Sequence, residues 1–161
     1  MKEPTMGIQG ARRGDGVITR WVGFQVEGQS YALDILRVQE VLAAAEIEPV
    51  PGTPPAVMGV INLRGRIVTV IDLRRCLGFG GAAPDRPCCV IVAEIEGEPM
   101  GLRVDGVAEI CSVAAAAIKT APPTRGRTAD PLVRGVVSRG AGGMLTLLDA
   151  DSLGAVTAAP A

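Results

Sequence analysis

A chain that carries one pattern twice is confined to folds that use the same unit twice, and this sequence aligns with itself. Residues 27–41, EGQSYALDILRVQEV, lie without gaps on residues 96–110, EGEPMGLRVDGVAEI, so that Glu27/Glu96, Gly28/Gly97, Leu33/Leu102, Val38/Val107 and Glu40/Glu109 coincide. Further along, Gly59-Val60-Ile61 followed by Ile67-Val68-Thr69-Val70-Ile71-Asp72 recurs as Gly135-Val136-Val137 followed by Met144-Leu145-Thr146-Leu147-Leu148-Asp149. The endings agree too: Asp72 is placed to N-cap a short turn closed by Gly78, and Asp149 to do the same ahead of Gly154. The sequence predicts two copies of one β unit, about 22–77 and 89–154.

Within each copy, short strands alternate with turns. Glu27-Gly28, Glu96-Gly97 and Arg64-Gly65 read as hairpin tips. In Met100-Gly101-Leu102-Arg103-Val104-Asp105 apolar and polar residues alternate, the pattern of a barrel-wall strand with one face in water. Val90-Ile91-Val92-Ala93 and residues 67–71 are apolar on both faces, so their outward sides need cover, most simply from the other copy. Residues 78–87 are a linker by composition, Pro122 to Pro131 a second loose segment, 1–16 a disordered tail and 155–161 a C-terminal tail, leaving 17–154 as the folded domain.

The chain has 161 residues, of which 48% are hydrophobic, enough for a substantial core. Its net charge is −1 and its only lysines are Lys2 and Lys119, so no basic stripe exists to follow a nucleic acid or an acidic membrane. Cys76, Cys88, Cys89 and Cys111 lack the paired spacing of a zinc site and read as small buried hydrophobes in a reducing compartment, with no metal or cofactor implied. No apolar run is long enough for direct insertion in a membrane, and residues 1–16 lack an apolar signal core, which places the protein in the cytoplasm. Histidine is absent, which removes the commonest general base and metal ligand. There is no P-loop and no nucleophile elbow, and the glycines at 78–81 lack a following helix to cradle phosphate. Arg13-Gly14-Asp15 is a coincidental tripeptide in the tail, and carboxylate pairs such as Glu94 with Glu96 or Glu46 with Glu48 read as solvated faces rather than an acid/base site. The chain is not expected to be an enzyme.

The most informative segment is Gly59-Val60-Ile61-Asn62-Leu63-Arg64-Gly65-Arg66-Ile67-Val68-Thr69-Val70-Ile71-Asp72-Leu73, preceded by Val50-Pro51 and Asp34-Ile35-Leu36-Arg37-Val38-Gln39-Glu40-Val41. With Val104-Asp105-Gly106-Val107 and Leu147-Leu148-Asp149 in the same order, it resembles the CheW family of chemotaxis coupling proteins from about Trp21 to Leu153. One departure is Thr69, where the family commonly has proline; this touches a strand edge and no binding residue. The resemblance implies an all-β fold of two five-stranded SH3-like β-barrel subdomains sharing an apolar core, with short helical turns. It further implies an adaptor between the cytoplasmic tip of methyl-accepting chemotaxis receptors and the regulatory domain of a CheA-type histidine kinase, within membrane-associated arrays.

Val38, Glu40, Asn62 and Arg64 match family positions implicated in that coupling. Arg64 can present a planar fork of donors to a partner, or close an internal ion pair with Glu40; the two roles are compatible. Asn62 can bond the turn backbone or a partner. Gly59 and Gly65 read as conformational requirements, Asp105 and Gly106 as a strand-end turn, and Trp21 and Phe24 as core or strand-edge aromatics. The competing readings are a detached kinase regulatory domain, an adaptor of a chemosensory pathway other than chemotaxis, and a small-molecule-binding barrel, which would need a roomy polar cavity.

Overall fold

The computed structural model describes residues 17–80, 88–120 and 131–158. The tail at 1–16, residues 81–87 of the expected linker, residues 122–130 of the second loose segment and residues 159–161 lie outside the described residues. The chain runs β1 (Ile18–Val26), β2 (Gln29–Asp34), β3 (Val38–Ala45), β4 (Val57–Leu63), β5 (Arg66–Asp72), α1 (Leu73–Cys76), β6 (Cys88–Ile95), β7 (Glu98–Val104), β8 (Gly106–Ala114), β9 (Val133–Ser138), β10 (Met144–Leu148) and α2 (Ala150–Ala158).

The strands form two five-stranded sheets, ordered β8-β1-β2-β10-β9 and β3-β6-β7-β5-β4. Replacing each strand by its counterpart in the other copy turns one order into the other, so the duplication is a pseudo-two-fold in which the copies exchange strands. Each barrel holds a hairpin from one copy and three strands from the other. Connection length forces this exchange. β2 ends at Asp34, opposite Trp21, whereas the strand flanking β1 on its far side starts opposite Gln25. Returning there would require crossing four residues of strand and two strand spacings, about 16 Å. The connection is one 3-10 turn, Ile35–Arg37, and the three steps from Asp34 to Arg37, the counterpart of the first residue of that flanking strand, span at most about 11 Å even when extended. β3 therefore continues into the other sheet. In each sheet an isolated bridge, Glu48 to Val60 or Lys119 to Val136, ties the segment after one edge strand to the opposite edge strand and closes the barrel.

Three apolar cores follow from the period-two alternation of strands. One barrel encloses Trp21, Ala32, Val113, Val137, Leu145 and Leu147. The other encloses Ala45, Ile61, Val68, Val70, Val90 and Val92. Between them, the outer faces of both sheets meet in a third cluster that includes Phe24, Leu33, Ile91, Leu102, Leu148 and Leu153. β6 serves two cores at once, since Val90 and Val92 point into a barrel while Ile91, Ala93 and Ile95 point into the shared layer. Cys76 packs against this shared layer, where burial, and secondarily the Asp72 carboxylate, pushes its thiol up to about 12.

Three sequence expectations change. β7 does not have a wet face: it lies between β6 and β5, and Arg103 is only 9% exposed because its guanidinium meets Asp105 at 3.2 Å and Asp72 at 3.9 Å. Not all of residues 67–71 are covered: Ile67 is 66% exposed, because the hairpin end of β5 projects past the shared layer that Ile71 reaches. The endings also differ. Gly78, at φ +91°, follows α1 and closes it, with its N–H and that of Phe79 donating to Arg75 and Arg74 carbonyls. Gly154 instead lies buried inside α2, where a Cβ would sit 2.8 Å from Glu96 Oε1, and the helix runs on to Ala158 through the first residues of the expected tail.

Gly59→Ala should lower unfolding free energy by roughly 3 kcal/mol or more in urea titration, since a Cβ there would fall 2.1 Å from the Glu48 carbonyl oxygen and φ is +154°. Cys76 should resist alkylation at pH 8 in the folded state and react at the rate of an ordinary thiol once urea unfolds the chain, because its native thiol is neutral at that pH.

Candidate functional site

β3 is an edge strand, and its residues alternate between cover and exposure. Val38 leans on the shared layer and Leu42 on the barrel core, with Glu40 half-buried between them and Gln39 and Val41 exposed. At the other edge, β4 and β5 are joined by the two-residue turn Arg64-Gly65. Both residues have positive φ, 52° and 87°, the pattern of the hairpin turn whose twist matches its strands. Asn62 Oδ1 accepts the Gly65 N–H at 2.9 Å and so braces the turn. Curling of the sheet brings this turn to β3, where Arg64 Nη1 and Nη2 donate to the same Glu40 oxygen, Oε1, at 2.9 and 2.5 Å.

Glu40, Asn62, Arg64 and Gly65 thus form one local constellation, with Val38 two residues from Glu40 on the same strand. The internal ion pair exists, yet it leaves the Arg64 side chain 68% exposed. Such a pair contributes only about 0.2–1 kcal/mol and is screened by salt. Its consequence is orientation: a cation and an anion are held side by side at a barrel edge, next to exposed Val41 on β3 and to Ile67, which lies directly across from Asn62. Gly59 sits at the other end of β4, at the approach to Glu48.

Asp105 and Gly106 belong to a different corner. Asp105 Oδ2 accepts the Glu27 N–H at 2.7 Å, and the same carboxylate faces Arg103 at 3.2 Å and Arg74 at 3.3 Å. Arg74 also pairs with the Glu27 carboxylate. A second corner joins Arg37, from the β2–β3 connection, to Asp151 of α2 through bonds of 2.8 and 2.7 Å. Sequence reasoning missed Arg37, Arg74 and Asp151. For Arg74 and Asp151 the available signal was the overlay of the copies, where the two coincide; Arg37 falls there on Gly106 and carried none. Trp21 and Phe24 are both 1% exposed, Trp21 inside a barrel beneath the Arg134 guanidinium and Phe24 in the shared layer, stacked with Tyr31. Among the described residues no group of His, Cys, Asp and Glu is arranged to hold a metal ion, and no helix is long and apolar enough to cross a membrane.

Residues 20–156 match the model of the CheW-like domain. The chain is 34% identical over 140 residues to "Chemotaxis protein CheW" of Klebsiella aerogenes, covering 87% of this chain and 84% of that protein. It is 32% identical over 132 residues to the protein of the same name from Rhizobium meliloti, covering 82% and 84%. The crystal structure of the scaffolding protein TtCheW from Thermoanaerobacter tengcongensis superposes with a TM-score of 0.75 at 31% identity, over 85% of this chain and 92% of that one.

Arg64→Asn should leave stability within about 1 kcal/mol of wild type, because asparagine tolerates the left-handed backbone and the lost pair is exposed. Gly65→Val should cost more than that in the same urea titration: nothing obstructs a side chain there, so the loss isolates the strain at φ +87°.

Proposed function

The chain belongs to the CheW family of non-catalytic chemotaxis scaffolds, and on that premise we propose that it couples the cytoplasmic tip of methyl-accepting receptors to the regulatory domain of a CheA-type histidine kinase. The observation that carries this reading is the Arg64–Glu40 constellation, an exposed guanidinium held in place by a neighbouring carboxylate and a braced turn. A guanidinium fixed in this way loses little freedom when it engages a partner's carboxylate or carbonyl, which is why arginine is favoured at interface hot spots. Exposed Val41 and Ile67 supply the apolar contact that a helical receptor tip would need.

In this reading Arg64 and Glu40 set the register of the partner, Val38 fixes the strand that carries Glu40, and Asn62 holds the turn. The adaptor works in the cytoplasm and is recruited to receptor arrays by these contacts. The agreement with CheW relatives over 84% of their length favours an adaptor over a detached piece of a kinase.

The test is the phosphorylation rate of a CheA-type kinase mixed with receptor-bearing membranes, with and without this protein. Stimulation on the order of tenfold that requires all three components is expected, and Arg64→Glu and Arg64→Asn should both lose most of it while remaining folded. Absence of stimulation by the wild type, with receptor and kinase shown competent using an established adaptor, would overturn the assignment.

A further inference from the structure

The two corners where the barrels meet have opposite polarity. At the first, the carboxylate comes from the turn between β7 and β8 (Asp105) and the guanidinium from the helix (Arg74 of α1). At the second, the guanidinium comes from the turn between β2 and β3 (Arg37) and the carboxylate from the helix (Asp151 of α2). At the first, the carboxylate also accepts the backbone N–H of Glu27, and at the second the Glu96 backbone helps to lower the Asp151 pKa; both glutamates stand at hairpin tips with φ 54°. The corners are otherwise counterparts under the pseudo-two-fold, because each helix follows a strand paired in parallel with the strand before the turn: β10 beside β2, and β5 beside β7.

Connection length compels each copy to exchange strands, but it does not say with which copy. The strands of the two copies share pattern, order and hairpin tips, although the turn before β3 has three residues and the turn before β8 one. A first copy could therefore receive the strands of a first copy from another molecule, leaving its own second copy to pair with a second copy of that molecule or of a further one, which yields closed dimers or longer chains. That arrangement would set Arg37 against Arg74, and Asp105 against Asp151. Pairing of unlike copies sets each base against an acid.

We propose that the reversed polarity of the two corners is a pairing code that admits only unlike copies, and that it holds the chain to a self-contained monomer during folding by penalising exchange between like copies of different molecules. The device is one of selection against an alternative rather than of strength, since pairs with side chains 32% and 53% exposed add little to stability. Of the remaining charges at the corners, Arg103 and Asp72 are bound to each other and Arg103 to Asp105, Arg37 also donates to the Glu94 carbonyl oxygen, and the Glu27 carboxylate is bound to Arg74, belongs to the same copy and accompanies it in either pairing, so that the turn residue, Asp105 or Arg37, is what differs between the two pairings.

The test compares the full-length wild type with two double variants, refolded from urea at high protein concentration and analysed for oligomers by sedimentation velocity. Arg37→Asp/Asp151→Arg keeps an attractive pair at its own corner but makes like copies complementary. Arg37→Ala/Asp151→Ala removes the pair. In low salt the reversed variant should give on the order of tenfold more oligomer than wild type, with the alanine variant between them. In about 1 M salt, where screening acts within a few ångströms, the three should converge. If the alanine variant oligomerises more than the reversed one, or all three refold alike in low salt, the corners are local ties and the code is refuted. Arg37→Glu/Asp151→Lys has the same polarity and replaces the first reversal if circular dichroism shows that variant unfolded.

Discussion

The shortness of one connection governs this molecule. Because Ile35–Arg37 is a single turn, β3 cannot return to the sheet that β1 and β2 begin, and a single residue, Asp105, imposes the same on β8. Neither copy can then close a barrel from its own strands. The chain passes between the barrels repeatedly, and the outer faces of both sheets are pressed into one apolar layer. Full burial of a Leu, Ile or Phe there contributes about 1.5–3 kcal/mol, and among the described residues the layer holds ten such buried side chains, so it fixes the relation of the barrels far more firmly than the exposed ion pairs at the corners.

That rigidity is what holds the Arg64 constellation in place. Its parts come from strands at opposite edges of one sheet, β3 and β4–β5, and they meet only because the barrel curls and is closed by the Glu48–Val60 bridge. The bridge in turn requires the absence of a side chain at residue 59. A signalling adaptor without catalytic chemistry works through the geometry of its surfaces, and here that geometry is inherited from a filled interior.

Much of this was legible in the sequence. The duplication, the hairpin tips at Glu27-Gly28 and Glu96-Gly97, the Arg64-Gly65 turn and the two-faced apolar character of β6 are local patterns, and local patterns survive in any correct fold. What escaped was set by strand order. Arg103 reads as a wet-face residue until β7 is known to lie mid-sheet beside Asp72 and Asp105. Ile67 reads as covered until the extent of the shared layer is known. Gly154 reads as a helix stop, because glycine so often is one, and only the Glu96 side chain packed against it reveals a close approach instead. The pairing of Arg64 with Glu40 was open to inference from residue type, and the exposure of Arg64 from its place in a hairpin turn.

The exchanged topology also bears on symmetry. A single copy with these connections has no closed barrel of its own, and a second, identical copy lending it strands would make a symmetric pair. Symmetry would give both corners of that pair the same residues in turn and helix. A base in one turn and an acid in the other is an asymmetry that identical chains cannot possess. The opposed corners of the present molecule are an asymmetry that only two copies joined, and free to differ, within a single polypeptide can carry.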